Sequence, residues 1–196
     1  MKTQSEPIRC PFTVLIDSQE SQPYTFQNIV ADADQDNRPV IVPTRWLSLG
    51  RHPNSLGDYS LEGFTGRCHV ERKSLEDCQG TVLGFASGYE RDKDLVGRRE
   101  RFKKELENLS AIEAGIVIVE ATLPDCMKYM PSWGKRTSQE NAKAFFRAVV
   151  SWNQRYKVNW VFCDSRRMAE IATFRYLEFF YKRHKHELKD EGRKTA

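Results

Sequence analysis

Residues 57–77 read GDYSLEGFTGRCHVERKSLED, and the placement of charge within them sets the problem. Two short alternating runs, GDYSLEG and RCHVERK, flank Gly63-Phe64-Thr65-Gly66, the pattern of antiparallel strands joined by a glycine-containing turn. Side chains alternate along a strand, so Glu71 and Lys73 share one face while Arg72 points to the other. On the preceding strand Asp58, Ser60 and Glu62 share a face. A turn centred between Phe64 and Thr65 places Asp58 directly opposite Glu71, with side chains ~5 Å apart. Like charges so placed repel by up to ~1 kcal/mol, which a purely structural hairpin has no reason to accept. A divalent cation turns the repulsion into a binding site, because Mg²⁺ is held by one or two carboxylates together with waters and phosphate oxygens.

The chain carries its own controls for chance. Glu187-Leu188-Lys189 repeats the acid-x-lysine spacing, and Pro124-Asp125 is a literal Pro-Asp pair. The first falls in a polar tail and the second in an irregular connection, and neither faces a carboxylate across a hairpin. Placement, not the letters, gives Glu71-Arg72-Lys73 its weight.

Working outward, FTVLID (12–17) alternates and is β-branched, which predicts a strand ending at Asp17. Pro23 predicts the start of a short helix over PYTFQNIV, closed by the polar run ADADQDN (31–37). RPVIVPTRWLSLG (38–50) is extended but interrupted at Pro43, as an edge or bulged strand would be. Ser74 caps a helix through SLEDCQGTVLG, and a basic helix follows over roughly 98–110. GIVIVEA (115–121) is a buried strand, and TLPDCMKYMPSWGKR (122–136) reads as an irregular connection. Thr137 and Glu140 form a capping box for a helix through Tyr156. VNWVFC (158–163) is a further strand, and a long helix with a broad aromatic face begins at Ser165. The basic tail 184–196 is expected to fray. Strands followed by helix–strand alternation predict one α/β domain over 1–196, a mixed central sheet flanked by helices on both faces.

Composition narrows the function classes. With 30% charged and 39% hydrophobic residues, the 196-residue chain fits a folded domain with one sizeable core. No apolar run approaches a membrane span and MKTQSEPIRC has no signal-peptide core, so a cytoplasmic protein without membrane contact is expected. Five cysteines form no CxxC pair, and Cys68-His69 alone cannot make a structural zinc site. The net charge of +4 is uneven: residues 1–60 carry 5 Lys or Arg against 7 Asp or Glu, which leaves 26 against 20 for the rest. That excess is compatible with a polyanionic partner.

The string GDY…ERKSLED resembles the GD…ERK-x-x-x-D signature of the XPF/Mus-type structure-specific nuclease domain, a branch of the PD-(D/E)XK superfamily. Gly57-Asp58 matches GD, Glu71-Arg72-Lys73 matches ERK, and Asp77 is the final aspartate. Upstream, Ile16-Asp17-Ser18-Gln19-Glu20 is similar to the family's V-D-x-R-E, with Gln19 in place of the usual arginine. The resemblance covers about residues 12–121 and implies a restriction-endonuclease-like fold. It implies metal-dependent hydrolysis of DNA phosphodiesters, with branched or flapped DNA as substrate. Catalysis would fall to Asp58, Glu71 and Lys73, with Mg²⁺ (or Mn²⁺) on Asp58 and Glu71 and Asp17 as a further candidate ligand. Glu20, Arg72 and Asp77 would support the site.

Arg98, Arg101, Lys103 and Lys104 on the basic helix, and Lys135 and Arg136 in the later loop, are the candidate DNA contacts. No helix-hairpin-helix pair is recognisable, so a compact stand-alone form of the prokaryotic or phage type is expected, as a homodimer or with a separate DNA-binding partner. The alternative is a non-catalytic DNA-binding or scaffold subunit.

Overall fold

A computed structural model describes residues 6–50, 54, 56–84, 92–133 and 135–194. The hairpin forms as the alternation requires: β6 (Tyr59–Leu61) pairs antiparallel with β7 (Cys68–Lys73), Tyr59 opposite Val70 and Ser60 opposite His69. The Asp58 amide donates to the Val70 carbonyl at 2.9 Å, one residue off the register that would set Asp58 directly opposite Glu71, and the paired ladder ends at Tyr59. Gly57 is required here. Its φ is +116°, and a Cβ would stand 2.9 Å from the Val70 carbonyl oxygen.

Around the hairpin a six-stranded sheet assembles. β2 (Val14–Asp17) pairs antiparallel with β6 and parallel with β5 (Thr44–Leu47), the exposed edge strand beyond Pro43. On the other side β8 (Ala114–Val119) runs parallel to β7, and β9 (Asn159–Phe162) parallel to β8. The order is β5-β2-β6-β7-β8-β9. A small second sheet, β1 (Ile8–Arg9), β4 (Pro39–Ile41) and β3 (Ile29–Val30), was not expected; its two- and three-residue strands are too short to show a period.

Each face of the large sheet buries its own core. On one, Val70, Ile116 and Ile118 pack with Phe174, Leu177 and Phe180 of α5 (Arg166–Lys194). On the other, Val117 and Val119 pack with α1 (Leu75–Leu83), α2 (Asp92–Ala111), α3 (Leu123–Lys128) and α4 (Ser138–Tyr156). The result is the expected mixed sheet with helices on both faces. Ser74 caps α1 and the Thr137–Glu140 capping box opens α4, both as predicted.

Three expectations are corrected. Residues 23–28 form no helix: Phe26 and Asn28 have φ of +53° and +56°, which no right-handed helix accommodates. The segment is instead stapled to α5, where Arg166 and Arg167 donate to the carbonyls of Gln22, Pro23, Gln27 and Asn28 and Glu170 accepts from the Phe26 amide. Within the supposedly irregular 122–136, α3 forms because Thr122 caps the Asp125 amide at 3.1 Å with Pro124 in the first turn. The basic helix α2 begins at Asp92, well before 98. α5 spans Arg166–Lys194, and along it Arg67 pairs with Glu187 while His184 lies 3.0 Å from Glu113. Thr195 and Ala196 lie outside the described residues.

Candidate active site

β7 and β8 run parallel and finish at one edge of the sheet, where β2 also ends and β6 begins. That edge gathers the charged residues. A cleft of about 310 Å³ opens there, lined by Gln19, Glu20 and Gln22 on one lip, Ser74 and Asp77 on the other, and Asp58, Glu71, Arg72 and Lys73 at its floor and wall.

Glu71 is buried at 4% exposure, and Asp58 is half-buried with its Oδ2 accepting the Arg72 amide at 2.8 Å. Lys73 sits against them: its Nζ is 2.6 Å from Glu71 Oε1 and 3.1 Å from Asp77 Oδ2, and 4.7 Å from the centre of the Phe102 ring. Burial lifts the Asp58 carboxyl to about 7, Lys73 opposing and the Glu20 and Glu105 charges adding. Glu71 is likewise raised well above its ordinary range, by burial and then by Asp58 and Glu105. Burial alone would make Lys73 a weaker ammonium, but Glu71, Asp77, Glu105 and Asp58 more than reverse it, so Lys73 stays charged. Burial also pushes Asp77 up; Lys73, the Thr81 hydroxyl and Arg98 outweigh it, and Asp77 is net lowered.

Asp58, Glu71, Lys73 and Asp77 therefore come together as the sequence indicated, with Glu20 and Arg72 beside them. Asp17 does not join the cleft lining. Its Oδ1 accepts the Leu49 amide at 3.1 Å, which anchors the segment after β5. Among the described residues no group of three or more His, Cys, Asp or Glu is placed to hold a metal ion. A cation here would rest on two carboxylates.

The basic residues divide. Arg98 lies close enough to Asp77 to lower its pKa, and Arg101 is exposed. Lys103 pairs with Glu100 at 2.6 Å and Lys104 with Glu107 at 3.1 Å, so both are partly engaged within their own helix. Arg99 turns inward, stacking 4.8 Å over Trp152 and donating to the Val82 carbonyl. Lys135 and Arg136 are exposed between α3 and α4 and are not among the cleft-lining residues.

Three residues were not read from the sequence as part of the site. Glu105 of α2 adds a third negative charge facing Asp58, Glu71 and Lys73. Its signal was its spacing beside the buried Phe102, Leu106 and Leu109 stripe. Glu120 and Arg166 buttress Arg72 and left no sequence signal, since their meeting needs β8 and α5 side by side. The cysteines are all free and buried, and His69 is buried with Nε2 on the Thr65 carbonyl, so Cys68-His69 is core and not a ligand pair.

No family model matches the chain, and no curated protein matches it in sequence. Among solved structures, XPF from Aeropyrum pernix is similar over 90% of this chain and 69% of that one, with a TM-score of 0.51 and 15% identity. The likeness is one of fold: the chain has an XPF-like, restriction-endonuclease-like architecture.

Proposed function

We propose that the protein is a metal-dependent DNA endonuclease acting on branched or flapped DNA. The observation that carries the reading is the meeting of Asp58 and Glu71 at the foot of a cleft, with a charged Lys73 beside them. The XPF-like fold agrees with it. The residues fit a divalent cation: two carboxylates, both pushed toward their protonated forms by burial, gain ionised character beside added positive charge. Asp58 and Glu71 would hold Mg²⁺ or Mn²⁺, which when bound supplies a more acidic water and neutralises charge on the phosphate.

The remaining chemistry belongs to the chain. Lys73, protonated at neutral pH, donates to a phosphate oxygen as negative charge develops there and does not serve as general base. Asp77 holds the ammonium in place from the first turn of α1. Arg98 and Arg101 extend the positive surface beside the cleft and bind flanking phosphates, with an affinity that falls as salt rises.

A second reading, a DNA-binding subunit without turnover, is favoured by one feature: Lys73 is already closed onto Glu71 at 2.6 Å. A panel of flapped, branched and plain duplexes incubated with Mg²⁺, Mn²⁺ or EDTA separates the two. Metal-dependent nicking is expected, strongest on the branched forms. Tight DNA binding with no nicking in either metal supports the second reading instead.

A further inference from the structure

The guanidinium that walls the cleft is held on three sides. Arg72 Nε and Nη2 donate to the two oxygens of Glu120 at 2.7 and 3.0 Å, and Nη1 reaches Glu20 at 3.3 Å. Glu120 also takes Arg166 Nη1 at 2.7 Å, and Arg166 Nη2 donates to the carbonyls of Gln22 and Pro23 at 2.6 and 3.0 Å. The Glu120 amide donates to the Lys73 carbonyl at 2.8 Å, which fixes this carboxylate beside the catalytic strand. Tyr24, stacked on Tyr59, faces both guanidiniums at 5.8 and 5.0 Å.

The Glu20, Glu120 and Arg72 side chains are 6%, 9% and 10% exposed, so the network is largely out of water. Removing one member would leave its partners charged and uncompensated. Four elements meet in it: the lip at 20–24, β7, the end of β8 and the start of α5. Glu120 is the member that touches both arginines.

We propose that Glu120 is a positioning residue. It fixes Arg72 in the cleft wall and, through Arg166, clamps the lip at residues 20–24 beside Asp58 and Glu71. In doing so it keeps two guanidiniums from bonding freely to DNA phosphates. The consequence for turnover rests on the nuclease reading; the clamp on the lip does not.

Glu120→Gln keeps the shape and removes the charge. Deuterium exchange of the amides at 20–28 is expected to quicken at least tenfold, with β7 and β8 unchanged. On a branched duplex with Mg²⁺, kcat should fall at least tenfold while KM stays level or drops. The log–log salt dependence of DNA binding should steepen by about one, because a released guanidinium can take a phosphate. Lowered Tm with an unmoved kcat and salt slope would mean Glu120 is merely structural and would overturn the proposal. So would unchanged lip exchange. If Glu120→Gln does not fold, Arg166→Gln, at a side chain 42% exposed, carries the same lip test. Faster lip exchange in a protein that cleaves no DNA overturns the claim about turnover, and the nuclease reading with it, while the clamp stands.

Discussion

Replacing Asp58 by Asn should make the protein more stable, and the gain should depend on pH. Asp58 Oδ2 accepts the Arg72 amide, a contact the Asn carbonyl can keep, so the change removes charge with little change of shape. In the folded protein the carboxyl titrates near 7, against 3.8 for its ordinary value. Below pH 3.8 both folded and unfolded chains carry the proton and Asp58 makes no difference. As pH rises the unfolded chain releases its proton first, so stability falls until the folded group ionises near 7 and then stays level. At about 1.4 kcal/mol per pH unit the ceiling on this loss is about 4 kcal/mol. Asp58 is only half-buried, and water in the cleft screens it, so about 2 kcal/mol is the expected gain for Asp58→Asn at pH 8. Urea unfolding of both proteins at pH 4, 6 and 8 measures it. A difference independent of pH, or a variant less stable than the parent at pH 8, would refute the reasoning.

Mg²⁺ or Mn²⁺ should raise the Tm of the parent, more at pH 8 than at pH 6 where the carboxyls hold protons, and should leave Asp58→Asn unmoved; a thermal-shift titration checks both. Lys73→Ala leaves Glu71 buried without its counter-ion, so it should lose stability at pH 8 and regain it as pH falls and Glu71 takes a proton; denaturation at pH 5 and 8 compares the two. Gly57→Ala forces a Cβ to 2.9 Å from the Val70 carbonyl at a φ of +116° and should cost about 3 kcal/mol, read from the urea midpoint. Arg101→Ala should weaken DNA binding and flatten its salt slope by about one, whereas Lys103→Ala, already paired with Glu100, should do less; fluorescence anisotropy at several salt concentrations separates them.

The parts of the molecule that were legible in sequence are those decided by neighbours in the chain. Tyr59 opposite Val70 follows from alternation and an even turn; the shift at Asp58, whose amide bonds the Val70 carbonyl, does not. Ser74 and Thr137 cap their helices because the cap and its target amide lie three residues apart. Thr122 and Asp125 offered the same signal, which Pro124 and the polar surroundings obscured. Residues 23–28 were misread for a different reason: what holds Phe26 out of a helix is Glu170, 144 residues away. Glu105, Glu120 and Arg166 belong to that class too, since each acquires its meaning only when helices and strands far apart in sequence close around the cleft. Asp17 illustrates the converse. The strand ends there as expected, yet the carboxylate serves the Leu49 amide because β5 lies alongside.

The central claim is that Asp58, Glu71 and Lys73 together cleave DNA. Single-turnover cleavage of a flapped duplex, run with binding measured in parallel for the parent, Asp58→Asn and Lys73→Ala, tests it most directly. The account predicts Mg²⁺-dependent cleavage by the parent, none by either variant, and DNA binding retained by all three. Cleavage that persists in Asp58→Asn would contradict it.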